Sequence, residues 1–138
     1  MNLVHKSRIA VAATAMLVGA TLAGCGNEAA RQTVEQRAQA RWDALIAHQA
    51  DKAYDYLTPG YRQTHARDKY VEEMNNRPVR WQNAKVNGKE CDGDRCSVEV
   101  VVGYSVPMNP SMGAVKSLAP QKETWLRVKG VWYFLPSS

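Results

Sequence analysis

Three regimes of apolar spacing follow one another along the chain. From Ile9 to Leu22 the residues are apolar or small and carry no charge. From Val34 the period becomes helical: Val34, Ala38, Trp42 and Leu45 recur at that spacing, with Ile46 beside them. Thr33, with Gln36 three residues on, reads as a capping box that opens this helix, and Asn27 offers an earlier start. Gln36, Gln39 and Asp43 fall on the far side, Arg37 and Arg41 sit nearer the edge of the stripe, and Gln49 marks its end. Asp51 caps a second short helix through Leu57, showing Tyr54 and Leu57 on one side, and Thr58-Pro59-Gly60 closes it. A third helical segment, Thr64 to Asn75, has Tyr70, Val71 and Met74 as its apolar side and stops at Asn76-Arg77-Pro78.

After Pro78 the period changes to two. Val79 to Cys91 reads as a first strand, and Cys96 to Val106 as the clearest one, with Val98, Val100, Val102, Tyr104 and Val106 on one face. Pro107 to Pro120, with three prolines, reads as a loop and as the segment expected to face a partner. Gln121 to Lys129 and Val131 to Leu135 are two further strands meeting at Lys129-Gly130. Helices followed by an antiparallel meander predict an α+β fold, with N-terminal helices packed on a curved antiparallel sheet of about four strands.

The first regime has a separate meaning. Lys6 and Arg8 precede it, the uncharged run is shorter than the ~20 residues that span a bilayer, and it ends in Leu22-Ala23-Gly24-Cys25. That ending resembles the lipobox of bacterial lipoproteins. The resemblance implies an export signal over residues 1–24, a lipidated Cys25 with a short tether over 25–32, and one domain over 33–138. It implies palmitate on Cys25, since two or three acyl chains are needed for stable membrane attachment. Gly26 after the cysteine resembles the pattern released to the outer membrane, which places the domain on that membrane's periplasmic face.

Composition narrows the remainder. Removing Lys6 and Arg8 from 18 basic residues leaves 16 against 13 acidic ones, a net +3 with no basic stripe, so nucleic acid is not an expected partner. Cys91 and Cys96 remain once Cys25 is set aside, and in an oxidising compartment a pair this close is expected to form a disulfide. If Gly93-Asp94 is a two-residue loop, glycine at its first position suits a type II′ turn, with Cys91 opposite Cys96. The spacing suits neither a metal site nor a two-residue redox motif, so no metal or cofactor is expected.

The runs Ala40-Arg41-Trp42-Asp43-Ala44-Leu45 and Asp51-Lys52-Ala53-Tyr54-Asp55-Tyr56-Leu57-Thr58-Pro59-Gly60-Tyr61-Arg62 resemble the opening helices of nuclear-transport-factor-2-like (NTF2-like, or cystatin-like) domains. The closing Glu123-Thr124-Trp125-Leu126-Arg127-Val128-Lys129-Gly130-Val131-Trp132-Tyr133 is similar to that superfamily's last hairpin. The resemblance implies a cone whose sheet wraps the long helix, sometimes around a pocket. It does not decide function, because the family holds isomerases and cyclases beside binding and scaffold domains. Tyr54, Tyr61, Trp81, Tyr104, Trp125 and Trp132 either line such a pocket or fill the core. A base for an isomerase or hydrolase would have to come from Asp43, Glu99, His48 or His65, each of which has an ordinary surface reading. The expectation is a non-catalytic module, contacting envelope proteins or a small apolar ligand and held to the membrane through Cys25.

Overall fold

A computed structural model describes residues 26–137, so the expected export signal and the expected lipidation at Cys25 lie outside the described residues. Five helices precede four strands: α1 (Gly26–Arg31), α2 (Val34–Ile46), α3 (Ala50–Tyr54), α4 (Pro59–Thr64), α5 (Arg67–Asn75), β1 (Arg80–Asp92), β2 (Arg95–Pro107), β3 (Ala114–Val128) and β4 (Val131–Leu135). The strands form one antiparallel sheet in the order β1-β2-β3-β4, and α2 lies across one face of it. This is the α+β arrangement expected. Among the described residues no helix is long and apolar enough to cross a membrane.

Local chemistry sets the element ends. Thr33 and Gln36 form the capping box, Thr33 N–H donating to the Gln36 side chain (2.8 Å) and Gln36 N–H to Thr33 Oγ1 (3.3 Å). At its other end α2 closes with a Schellman motif: Gln49 N–H donates to Ala44 C=O and His48 N–H to Leu45 C=O. His48 takes the left-handed position there, at φ +57°, where glycine is the usual residue. The β1–β2 hairpin turns at Gly93 (φ +57°) while Asp94 stays at negative φ, as a type II′ turn requires. Cys91 pairs with Cys96 next to that turn, and the disulfide forms, with Cα atoms 4.0 Å apart. Lys129 (φ +50°) and Gly130 (φ +83°) make the β3–β4 turn, positive at both positions as in type I′.

The core lies between α2 and the sheet face that carries Cys96, Val98, Val100, Val102 and Trp125, with Leu57 and Tyr54 completing it. Tyr56, Leu57 and Thr58 lie along the outer side of β4, where Thr58 N–H donates to Phe134 C=O and Phe134 N–H to Tyr56 C=O. That contact covers what would otherwise be a bare sheet edge.

Four expectations need correction. The segment from Pro107 to Pro120 is a loop only as far as Gly113; from Ala114 it is strand, paired to β2 from Pro107↔Ala114 onward. Prolines at edge positions are compatible with a strand whose other side is open. Pro59 does not end a helix but starts one, at the first position of α4 with Thr58 as its cap. The third expected helix accordingly starts at Arg67 rather than Thr64, because Thr64 ends α4 and His65-Ala66 separate the two. Residues 26–31 are helical, and α1 packs against β4. Finally, the alternation of β2 fails beyond Gly103: Tyr104 and Val106 are half-buried, whereas Ser105, on the opposite face, is buried. Gln82 bulges out of β1 beside this point, and its side chain reaches over to Ser105 (3.4 Å).

Candidate functional site

Strand alternation carries Glu123 to the same face as Trp125 and Val98, under α2. There it is 5% exposed and meets Arg41, 6% exposed. Arg41 Nη1 donates to Glu123 Oε1 (2.9 Å), Trp42 Nε1 donates to the same oxygen (2.9 Å), and Trp125 Nε1 donates to Oε2 (2.9 Å). The Arg41 guanidinium also stacks over the Phe134 ring at 3.9 Å. Neutral residues could not fill this place with the same contacts: a buried cation needs a carboxylate, and the carboxylate's second oxygen needs a donor.

This cluster forms the inner end of a cleft of about 360 Å³. One wall is β3 from Gln121 to Thr124 with residues Phe134 to Ser137; the other is α5, through Tyr70, Glu73 and Met74, with Arg77 just beyond its end. Tyr61 and Trp81 stand at its sides, Trp81 edge-on to Trp42 with ring centres 5.7 Å apart. Arg77 pairs with Glu73 at 2.7 Å, so two ion pairs and Lys122 bring charge to both sides of a cleft that aromatic rings also line. Burial, and next the nearby Glu73 carboxylate, push the Tyr61 phenol above its ordinary pKa and keep it a neutral hydroxyl. Among the described residues Arg41 Nε and the Tyr70 hydroxyl, both buried and both on residues lining this cleft, have no hydrogen-bond partner.

The six aromatic candidates separate. Tyr61 and Trp81 line the cleft; Tyr54 and Trp125 are core; Trp132 is half-buried against the core, with Arg127 over its ring; Tyr104 is half-buried in β2. The four candidate bases do not converge. Asp43 is exposed and accepts from Gln39, and Glu99 accepts from Asn87 on the sheet face away from α2. His48 closes α2 beside a second hollow of about 300 Å³, and His65 is exposed, stacked on Tyr61 with ring centres 3.8 Å apart. No group of three His, Cys, Asp or Glu side chains placed to hold a metal occurs among the described residues.

The sequence reading did not single out Arg37, Arg41 or Glu123. Arg37 is buried as well, its Nε donating to Trp132 C=O and its guanidinium over the Tyr56 ring at 4.6 Å. A signal existed: Glu123 stands two residues before Trp125 in a strand, so whichever face buries the tryptophan must also bury the carboxylate.

No protein-family model matches the chain, and no curated protein matches it. Solved structures do. A SEC-C motif containing protein from Rhodopseudomonas palustris is 19% identical, with a TM-score of 0.60, over 80% of this chain and 79% of that one. A SEC-C motif containing protein from Psychrobacter arcticus is 15% identical, with a TM-score of 0.58, over 78% of this chain and 60% of that one. A protein described as an NTF2-like transpeptidase from Campylobacter jejuni is 13% identical, with a TM-score of 0.54, over 77% of this chain and all of that one. At such identities the likeness concerns architecture alone: the chain is similar in fold to these proteins, an NTF2-like domain among them.

Proposed function

We propose that the chain is a lipid-anchored module of the bacterial envelope that binds a ligand or partner at the cleft over Arg41 and Glu123, without catalysing a reaction. The observation that carries the binding reading is the state of Glu123. It is the carboxylate at the inner end of the cleft, and both its oxygens already accept hydrogen bonds from groups fixed in the core. A general base needs a lone pair directed at its substrate. Glu123 instead holds Arg41, Trp42 and Trp125 in place, which makes the cleft a rigid surface of aromatic rings and paired charges. Envelope placement is supported by the Leu22-Ala23-Gly24-Cys25 ending.

The test places a photo-crosslinking amino acid at Arg77, on the cleft mouth, and at Lys85, on the sheet face away from α2, in the full chain expressed in a Gram-negative bacterium. The reading expects an adduct of defined mass from position 77 in the membrane fraction and none from position 85. Equal adducts from both positions, or none from 77, would sink it.

A further inference from the structure

The sheet is lopsided in a way that the cleft makes useful. Strand β3 pairs with β2 from Ala114 to Leu126, whereas β4 pairs with it only from Thr124 to Val128. Strand β4 stops at Leu135, opposite Thr124, and Pro136 follows. Among the described residues, the ten positions from Ala114 to Glu123 have no strand on their outer side and make no backbone hydrogen bond outside the β2 ladder; the loop bond from Met108 N–H to Gly113 C=O lies just before them. The last of these positions, with Thr124, form the β3 wall of the cleft, facing α5. The bare edge therefore opens into the groove that a longer β4 would have filled.

The side chains along this edge state what it would accept. Val115 is 53% exposed and Leu118 67% exposed. Register puts Lys116, Leu118, Pro120 and Lys122 on one face, and Arg77 lines the opposite wall of the cleft. Lysines on an edge discourage pairing with a second copy, because two such edges set lysines against lysines. The same lysines favour a strand that carries acids. We propose that the outer edge of β3, from Ala114 to Glu123, takes an extended acidic segment of another protein by strand addition. The incoming strand continues the sheet where β4 ends and lays alternate side chains on Leu118 and into the cleft. Backbone hydrogen bonds supply affinity in this mode, and the alternate pockets supply choice. The inference rests on the binding role proposed above and names the class of partner.

Random dodecapeptides displayed on phage are selected against the full chain solubilised in detergent, and enriched sequences are made as free peptides. Enriched sequences should alternate acidic residues with β-branched or aromatic ones. Amide hydrogen exchange should slow at residues 114–123 on binding. Replacing the acids of a selected peptide by lysine should weaken it about three- to tenfold, the effect of two solvent-exposed ion pairs. Leu118→Pro should abolish binding, and the double variant Lys116→Glu with Lys122→Glu, which leaves the backbone intact, should reverse the preference for acids. Failure to enrich any sequence overturns the proposal. A footprint confined to Trp42, Tyr61 and Trp81 overturns strand addition but leaves the cleft as a binding site. Slowed exchange at 114–123 without peptide also overturns it: with a dimeric mass the occupant is a second copy, and only on anionic vesicles it is lipid.

Discussion

Changing Glu123 to glutamine exchanges one oxygen for an NH₂ group and removes a charge, with almost no change in volume. The native carboxylate accepts from three donors, Arg41, Trp42 and Trp125, in a site where both charged side chains are almost wholly out of water. Glutamine has a single acceptor oxygen for these donors, so its NH₂ must face an N–H group whichever way the amide turns. Arg41 meanwhile keeps its charge and loses its counter-ion. Removing one partner of a buried ion pair costs about 3–5 kcal/mol, most of it the penalty of the stranded charge. A domain of this size has ~5–15 kcal/mol in all, so the variant should fold but with a large part of its stability gone. Urea unfolding followed by tryptophan fluorescence reads this directly, because Trp42 and Trp125 report on the cluster itself. With a urea dependence of ~2 kcal/mol per molar, the midpoint should fall by about 1.5–2.5 M. Adding Arg41→Met removes the stranded cation and should return roughly 2 kcal/mol of the loss. A midpoint within 0.5 M of the parent (~1 kcal/mol at that slope), or a double variant weaker than Glu123→Gln alone, would refute the account of a desolvated pair.

The remaining predictions are more local. His48→Gly should raise stability by about 1 kcal/mol, measured by thermal unfolding, since an L side chain is strained at φ +57°; a loss would mean that the imidazole makes a contact worth more than the strain. Replacing Cys91 and Cys96 together by serine opens a small loop and should cost about 2 kcal/mol without unfolding the domain, as circular dichroism will show. Burial acts to raise the Glu35 carboxyl, but hydrogen bonds from Lys89, its own backbone and Thr33 outweigh this and hold it below its ordinary value of 4.5. Its contribution to stability is thus full above that value and lost as pH falls through the lower folded one. Lys89→Ala should move the Glu35 carboxyl titration upward by NMR, and an unmoved titration would show that the 2.7 Å pair does not hold in solution. Cys25→Ala should abolish palmitate labelling; continued labelling would remove the lipid anchor from the proposed function.

How much of this could be read from the chain alone varied with how each segment is buried. Strand β2 was legible from Cys96 to Val102 because it has one wet and one dry face, and alternation records that difference. The first half of β3 was not, since Ala114 to Leu118 are exposed on both faces and a strand without a dry face leaves no alternation. The stretch around Pro59 misled because proline both stops helices and starts them, and only the Thr58 side chain accepting from Tyr61 N–H shows which it does here. The cleft was half legible. Its aromatic members could be nominated by size, but Arg41 and Glu123 are charged residues that ordinarily face water, and their burial follows from mutual pairing across 82 residues of sequence.

The pairing also decides which sheets the chain is able to misassemble. If β3 slipped by one residue against β2, every side chain along it would change faces. Lys122 would then enter the place of Glu123 and meet Arg41, two cations in a space with no water to separate them. Thr124 would replace Trp125 against Phe134, leaving a hole where an indole had been. A slip in the apolar part of the strand alone would meet little resistance, because alanine, valine and leucine tolerate exchange. A single inward carboxylate, set against a single inward arginine on the helix, thus acts as a proofreading contact: one alignment is neutral, and the alignments on either side of it carry an uncancelled charge into the core.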